Sequence, residues 1–357
     1  MQGIALVVGV SGIIGNNTAR ELLANGWKVY GLSRNPTNDT AVAGVIPVAA
    51  NLLDAGSVQA ALKDVSPTHV FFTTWTRRAT EAENIEVNSA MVRNVLSALS
   101  PKKCVRHVDL VTGLKHYLGP FDAYVTGGFR PVTPLREEQS RLDLPNFYYA
   151  QEDEVYAAAK RDGFTWTIQR PHTVIGKAIG NAMNMGSTLA VYASICKEAG
   201  RKFRWPGSEG QWSGICDVTD ARVLAKHLVW AANTVAAQNE AFNVVNGDYF
   251  RWSWLWPRIA KWFDVEWVGW DGEIHPLEAQ MADAPEIWAK IVKKHGLKEA
   301  DLDRLASPWH TDLDLGRPLE IMTDMTKSRE AGFHVFQSSE KSFTNLFAQL
   351  RAEKLIP

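Results

Sequence analysis

An α/β fold is predicted for this chain, with a doubly wound parallel sheet and a smaller, mainly helical lobe towards the C-terminus. Three observations predict it. Short apolar, β-branched runs alternate with helical periodicities through the first half of the chain. A glycine-rich turn lies between the first such run and the first helix. Beyond about Gly176 the alternation gives way to helices separated by irregular stretches containing Gly, Met, Trp and Pro. Together these describe a Rossmann-type domain over residues 1–175 and a substrate-binding lobe over 176–357. A later strand near 241–246 returns to the sheet.

Taken in order, Ile4–Val8 is a short apolar run that reads as the first strand. Lys28–Leu32, Val45–Ala49, His69–Thr73, Val105–Val111 and Thr165–Gln169 read as further strands, bounded by turn residues. Between them Asn17–Ala24, Ser57–Lys63, Glu86–Leu99 and Glu152–Arg161 carry helical spacing. Ala241–Val245 is a strand that rejoins the sheet, so the second lobe interrupts the first. Ser253–Phe263 and Ala284–His295 are helices of that lobe. Ligands in open α/β folds bind outside the carboxyl ends of the strands, and the lobe is expected to close over that edge.

Composition narrows the function. The chain has 357 residues, 46% apolar content and a formal net charge of −1. That is enough to bury one large core or two modest ones, and too neutral for nucleic acid to be the main partner. Cys104, Cys196 and Cys216 are too few and too scattered for a disulfide framework or a zinc site, so no metal is expected. A strand begins almost at the first residue, and no basic leader or 18-residue apolar run occurs. A cytoplasmic protein without a membrane span is therefore expected. Fourteen tryptophans, most of them beyond residue 200, are expected to build core, an apolar pocket or an interface.

Gly9-Val10-Ser11-Gly12-Ile13-Ile14-Gly15 follows the first strand and opens the first helix. Glycines here allow a tight turn and let the backbone approach a pyrophosphate, whose charge the helix N-terminus stabilises. At the end of the second strand, an acidic residue would hold the ribose hydroxyls of NAD and repel a 2′-phosphate. Gly31-Leu32-Ser33-Arg34-Asn35 offers no carboxylate. Arg34 can instead make a charge-assisted bond to that phosphate and Ser33 a hydrogen bond, so NADPH/NADP is the expected cofactor.

A Tyr-x-x-x-Lys pattern, which one helical turn would place on one face, occurs at Tyr156–Lys160. It lies too close to the strand ending at Arg170 to leave room for a full helix and turn. Tyr148 has that room, and Tyr156 would sit about 12 Å further along at the usual helical rise. Four residues after Tyr148 stands Glu152, so a cationic partner must come from elsewhere. Lys115, just past the carboxyl end of the fifth strand, qualifies. A phenol beside an ammonium stabilises a developing oxyanion. His116 and His172 lie nearby and are expected to serve packing or loop hydrogen bonds.

Several motifs carry a family resemblance: Phe72-Thr73-Thr74-Trp75, the helix Glu83-Asn84…Asn88…Asn94-Val95-Leu96, Thr112–Pro120 with its Lys115-His116-Tyr117, Asn146-Phe147-Tyr148-Tyr149, Arg170-Pro171, Asn239–Asn243 and Lys327–Phe333. On these, and nearly end to end, the chain resembles the progesterone 5β-reductase/iridoid synthase family. Its members are atypical extended short-chain dehydrogenases that reduce activated C=C bonds. The resemblance implies Lys115 and Tyr148 as the catalytic pair. Arg34, Asn51, Leu52, Thr74, Trp75, Tyr148 and Val174 fall where the family contacts its cofactor, with Gly9, Gly12, Ile13, Ile14, Gly15 and Ser33 of the phosphate and ribose loops. Trp75, Phe121, Tyr124 and Phe336 fall where it lines the substrate pocket. Two departures stand out: Asn35 follows Arg34 where plant members have a second arginine, and Asn51 replaces an aspartate.

The expected activity is NADPH-dependent 1,4-reduction of an α,β-unsaturated carbonyl, with a small-molecule enone as partner and a homodimer as the candidate assembly. The rival readings are 1,2-carbonyl reduction, a nucleotide-sugar epimerase or dehydratase, and a non-catalytic NADP(H) sensor. A sugar-nucleotide enzyme needs basic residues in the second lobe, which in sequence looks aromatic.

Overall fold

The computed structural model describes residues 3–37, 41–120, 123, 130–181 and 183–357. β1 (Ile4–Val8) passes through the glycine loop into α1 (Ile13–Ala24), and β2 (Lys28–Ser33), β3 (Ile46–Ala49) and α2 (Ala55–Ala61) follow. Then come β4 (His69–Phe72), α3 (Glu81–Leu99), β5 (His107–Val111), the short α4 (Lys115–Leu118), α5 (Phe147–Asp162) and β6 (Thr165–Pro171). The second half holds β7 (Val174–Ile175), α6 (Met185–Glu198), β8 (Phe203–Arg204), β9 (Thr219–Asp220), α7 (Ala221–Ala232) and β10 (Glu240–Val244). It ends with α8 (Trp252–Phe263), β11 (Trp267–Val268), α9 (Ala284–His295), α10 (Pro308–Leu315) and α11 (Ser339–Ala352).

Seven strands form one sheet in the order β10-β6-β5-β4-β1-β2-β3, and every pairing is parallel. Chain order reverses between β1 and β4, which opens a crevice at their carboxyl ends. The period of two within β1 divides its side chains between two cores. Leu6 and Val8 face α3 and α5 through Val92, Leu96, Val155 and Ala158. Ala5 and Val7 face α1 and α7 through Ala19, Leu22, Leu224 and Leu228. β10, reached only at Glu240, pairs with β6 at the sheet edge.

Helix starts differ most from the sequence expectation, and caps explain two of them. α3 begins at Glu81 because Thr80 and Glu83 form a reciprocal capping box, with bonds of 3.2 and 3.0 Å. α5 begins at Phe147 because the Asn146 side chain accepts from the Tyr148 amide at 3.0 Å. Its aromatic first turn has modest helix propensity, so periodicity places the start too late.

The tryptophan-rich segment builds its own core. Trp205, Trp252, Trp256 and Trp288 are fully buried with Leu189, Ile195, Phe343 and Phe347. Phe203 stacks on Trp256 at 3.9 Å between centroids, and Trp205 meets Trp256 edge-on at 5.1 Å. The three cysteines are free, and no disulfide forms. No described helix is long and apolar enough to cross a membrane. Among the described residues no cluster of His, Cys, Asp and Glu could hold a metal ion.

Candidate active site

A cleft of about 860 Å³ runs along the carboxyl edge of the sheet. It is lined by the residues that follow β1, β2, β3, β4, β5 and β6. That volume lies in the upper part of the usual range for ligand sites, roughly 300–1,000 Å³.

The glycine loop forms one wall. Gly9 has φ +90°, and a Cβ there would stand 2.6 Å from Thr74 Cβ, so both its conformation and its space require glycine. Gly15 lies behind the loop, where a Cβ would collide with the Gly9 carbonyl and come within 2.8 Å of Thr73 Oγ1. Gly12 caps α1 with extended backbone and no capping side chain, and no acidic residue occupies the first turn. The first-turn amides, at Ile13 and Ile14, are thereby left for an anion.

At the far end, Ser33, Arg34, Asn51 and Leu52 line the cleft. Arg34 is exposed, and the Ser33 hydroxyl is buried without a hydrogen-bond partner. Asp314, at the opposite end of the chain, is the one carboxylate among the described lining residues. The Asn51 side-chain Oδ1 accepts from the Leu53 amide at 3.2 Å, a turn that an aspartate there could make equally.

Thr74 and Trp75 follow β4, and two buried asparagines of α3 fasten this loop. Asn88 accepts from the Thr76 amide at 2.8 Å and donates to its carbonyl at 2.9 Å. Asn84 accepts from the Arg78 amide at 2.7 Å.

Lys115 and Tyr148 both line the cleft, and Asn146 ties their backbones together. Its Nδ2 donates to the Lys115 carbonyl at 2.8 Å while its Oδ1 accepts from the Tyr148 amide at 3.0 Å. Phe147, fully buried, is the packing surface for both. Lys115 Nζ lies 4.7 Å from its ring centroid, and the Tyr148 ring lies at 4.3 Å. Trp75 covers the other side, 4.9 Å from Phe147 and 5.4 Å from Lys115 Nζ. These aromatic faces favour the charged ammonium and hold it beside the phenol's helix turn. The Tyr148 hydroxyl would stand 3.3 Å from a Cβ on Gly113, so the glycine leaves room for it.

Tyr156 packs on Trp166 at 4.6 Å, and burial pushes its phenol up to about 12. Neither it nor Lys160 lines the cleft. Glu152 points to structure as well: it is buried and accepts from Arg141 at 2.7 Å, with burial raising its pKa against Arg170 and Arg141. His116 serves the loop, its Nε2 lying 3.2 Å from the Gln139 carbonyl and its pKa pulled down to about 3 by burial and then by Arg170. His172, by contrast, lines the cleft with both ring nitrogens engaged, by Asp217 at 2.8 Å and Arg317 at 2.9 Å.

Gly9, Gly12, Ile13, Ile14, Ser33, Arg34, Asn51, Leu52, Thr74, Trp75, Lys115, Tyr148 and Val174 thus come together around one cleft, with Gly15 supporting its loop. Phe121 and Tyr124 lie outside the described residues. Phe336 is not brought to the cleft: it is 75% exposed, while its neighbour Phe333 is the residue that turns inward to pack with Val223, Val245 and Met325.

Sequence reasoning missed the second lobe's contribution. The lobe keeps its tryptophans in its own core and lines the cleft with Arg304, His310, Asp314 and Arg317. Its aromatic composition therefore gives no ground for excluding a sugar-nucleotide ligand. The spacing of His310, Asp314 and Arg317 along one helical face was the available signal.

Residues 51–357 match the model of a PRISE-like Rossmann-fold domain. The chain is 40% identical over 367 residues to an (S)-8-oxocitronellyl enol synthase of Nepeta cataria, covering all of this chain and 94% of the relative. It is 38% identical over 367 residues to a 3-oxo-Delta(4,5)-steroid 5-beta-reductase of Arabidopsis thaliana, with the same coverage. Among solved structures, the UDP-glucose 4-epimerase of Thermotoga maritima superposes with a TM-score of 0.68 at 15% identity, over 98% of this chain and 99% of that one. The enzyme WbmH of Bordetella bronchiseptica, in complex with NAD+, gives 0.64 at 16% identity and 98% of each chain. At such identities the solved structures establish the fold.

Proposed function

The chain belongs to the PRISE-like Rossmann-fold family, and from that premise we propose that it is an NADPH-dependent enone reductase with Lys115 and Tyr148 as its catalytic pair. The observation that carries the assignment is the shared seat of the two side chains. One asparagine holds both backbones, and one buried phenylalanine packs against both side chains. The relatives' names, an enol synthase and a steroid 5-beta-reductase, are of the same chemical kind.

The cleft fits a dinucleotide. The loop Gly9–Gly15 and the uncapped start of α1 would hold the pyrophosphate, and Thr74 and Val174 would flank the nicotinamide. Arg34 and the unpartnered Ser33 hydroxyl, with no carboxylate at that end among the described residues, suit a 2′-phosphate. The reduced cofactor, when bound, supplies a hydride to the β-carbon of the substrate. Charge then moves to the substrate's carbonyl oxygen. Tyr148 donates a hydrogen bond to that oxygen, and the Lys115 ammonium makes the phenol a stronger donor by raising the local positive potential. The resulting enolate takes its α-proton from solvent, which balances the reaction to a saturated ketone.

With 2-cyclohexenone and NADPH, cyclohexanone is the expected product. The allylic alcohol would establish 1,2-reduction instead, and absence of NADPH consumption across a broad enone panel would leave a cofactor-binding protein. Arg34→Leu is expected to raise the KM for NADPH by about tenfold, the lower end of the range for an ionic hydrogen bond because Arg34 is exposed. The KM for NADH should stay nearly constant, and steady-state kinetics with both cofactors would reveal any parallel loss.

A further inference from the structure

The second lobe presents one polar helix face to the cleft. His310 and Asp314 on α10, and Arg317 just beyond it, follow one another at i, i+4 and i+7 and all line the cavity. Alongside them Thr311 and Leu315 are fully buried. His310 Nδ1 is buried and has no hydrogen-bond partner among the described residues. A buried polar atom left unpaired in this way points to a partner that the protein alone does not supply. Burial lowers its pKa, with Asp314 opposing and Arg317, Arg77 and Lys115 adding to the fall. The imidazole is therefore neutral near pH 7, with one donor and one acceptor. His310, Lys115 and Tyr148 line the same cleft.

The residues behind it are pinned. A guanidinium can only donate, so Arg317 Nη1 donates to His172 Nε2 at 2.9 Å. His172 Nε2 is thus the acceptor, and its Nδ1 donates to Asp217 at 2.8 Å. Arg317 Nη2 also pairs with Asp314, whose second oxygen accepts from the Thr173 hydroxyl at 3.0 Å. The second oxygen of Asp217 accepts from the Thr323 amide at 2.7 Å. Along this chain one guanidinium faces two buried carboxylates, so the chain itself offers no spare cation to an acidic ligand. A neutral hydroxyl or carbonyl suits it.

We propose that His310 is a specificity-determining residue, the recognition group for a second, uncharged oxygen function on the substrate, remote from the reacting carbonyl. This rests on the enone-reductase reading of the same cleft. An apolar group set against the imidazole would leave a buried polar atom unpaired, whereas a hydroxyl or carbonyl would satisfy it.

The test uses linear 3-en-2-ones of increasing length that end in a hydroxymethyl, a methyl or a carboxylate group. Wild type is expected to show a chain length at which kcat/KM favours the hydroxyl end over the methyl end by about tenfold, the effect of one net hydrogen bond. The carboxylate end should gain no such preference. His310→Phe should bring the hydroxyl-to-methyl ratio close to one, and His310→Gln should keep part of it. Thermal melts of both variants report folding, and the Gln variant carries the comparison if the Phe variant unfolds. A wild-type ratio near one at every length, a preference for the carboxylate end, or a full preference in folded His310→Phe would overturn the proposal. Failure of wild type to saturate any of the methyl-ended compounds would instead overturn the enone-reductase reading.

Discussion

Tyr148→Phe is expected to lower kcat for 2-cyclohexenone by about 10²–10³-fold, the usual cost of deleting one donor to a developing oxyanion. NADPH binding should be nearly unchanged. The variant keeps the ring that packs on Phe147 at 4.3 Å and the backbone amide that bonds to Asn146 at 3.0 Å. It removes the hydroxyl alone, so the loss belongs to the chemical step. Stopped-flow hydride transfer and cofactor titration separate the two quantities. Full enone reduction by the variant would remove the phenol from the mechanism, and Lys115 would be left without the group through which it acts.

The second large effect is expected at Gly15. Gly15→Ala places a methyl group against the Gly9 carbonyl and within 2.8 Å of Thr73 Oγ1. Neither neighbour is a free chain end. Gly9 donates from its amide to the Leu32 carbonyl at 2.8 Å, and Thr73 Oγ1 donates to the Val8 carbonyl at 2.8 Å. Something in the loop must shift, and overpacking of this kind costs about 1–3 kcal/mol. The same energy taken from the loop's fit to a phosphate is roughly a 5- to 150-fold loss of NADPH affinity. Gly12→Ala is the control for stability. A Cβ there meets the Gly9 carbonyl oxygen at 3.4 Å, ordinary van der Waals contact. A lowered melting temperature and weakened cofactor binding in Gly15→Ala, with the melting temperature of Gly12→Ala intact, is the expected pattern. Equal melting temperatures would show that the loop adapts without cost.

What was legible in the chain divides along a physical line. The strands and the glycine loop declare themselves locally, because a buried parallel strand must be apolar throughout and a phosphate turn must contain glycine. β1 at Ile4–Val8 and α9 at Ala284–His295 match their expected bounds. Lys115 and Tyr148 were legible because the rule that ligands gather at strand ends converts sequence position into spatial position. His310 and Arg317 were not. Which residues of an irregular lobe reach the cleft depends on how α10 docks, and a polar stripe beside buried Thr311 and Leu315 reads as a solvated face. The tryptophans, expected to build core, an apolar pocket or an interface, serve mainly as core. Of the fourteen, Trp75 is the one lining the cleft among the described residues, since large rings gain most by packing together away from water.

The late arrival of β10 has a consequence for biogenesis. When the ribosome has released residue 175, six strands of the sheet exist, yet the outer edge of β6 has no neighbour. The face bearing Val7, Phe71 and Val111 also lacks Leu224 and Leu228 of α7, which cover it in the finished molecule. Through the synthesis of about 70 further residues, at roughly 5–20 per second, that edge and that face stay available to other chains. Nascent polypeptide of this architecture is thus most in need of chaperone protection in the seconds before Glu240–Val244 emerges, and a fragment truncated at 175 carries the same exposure permanently.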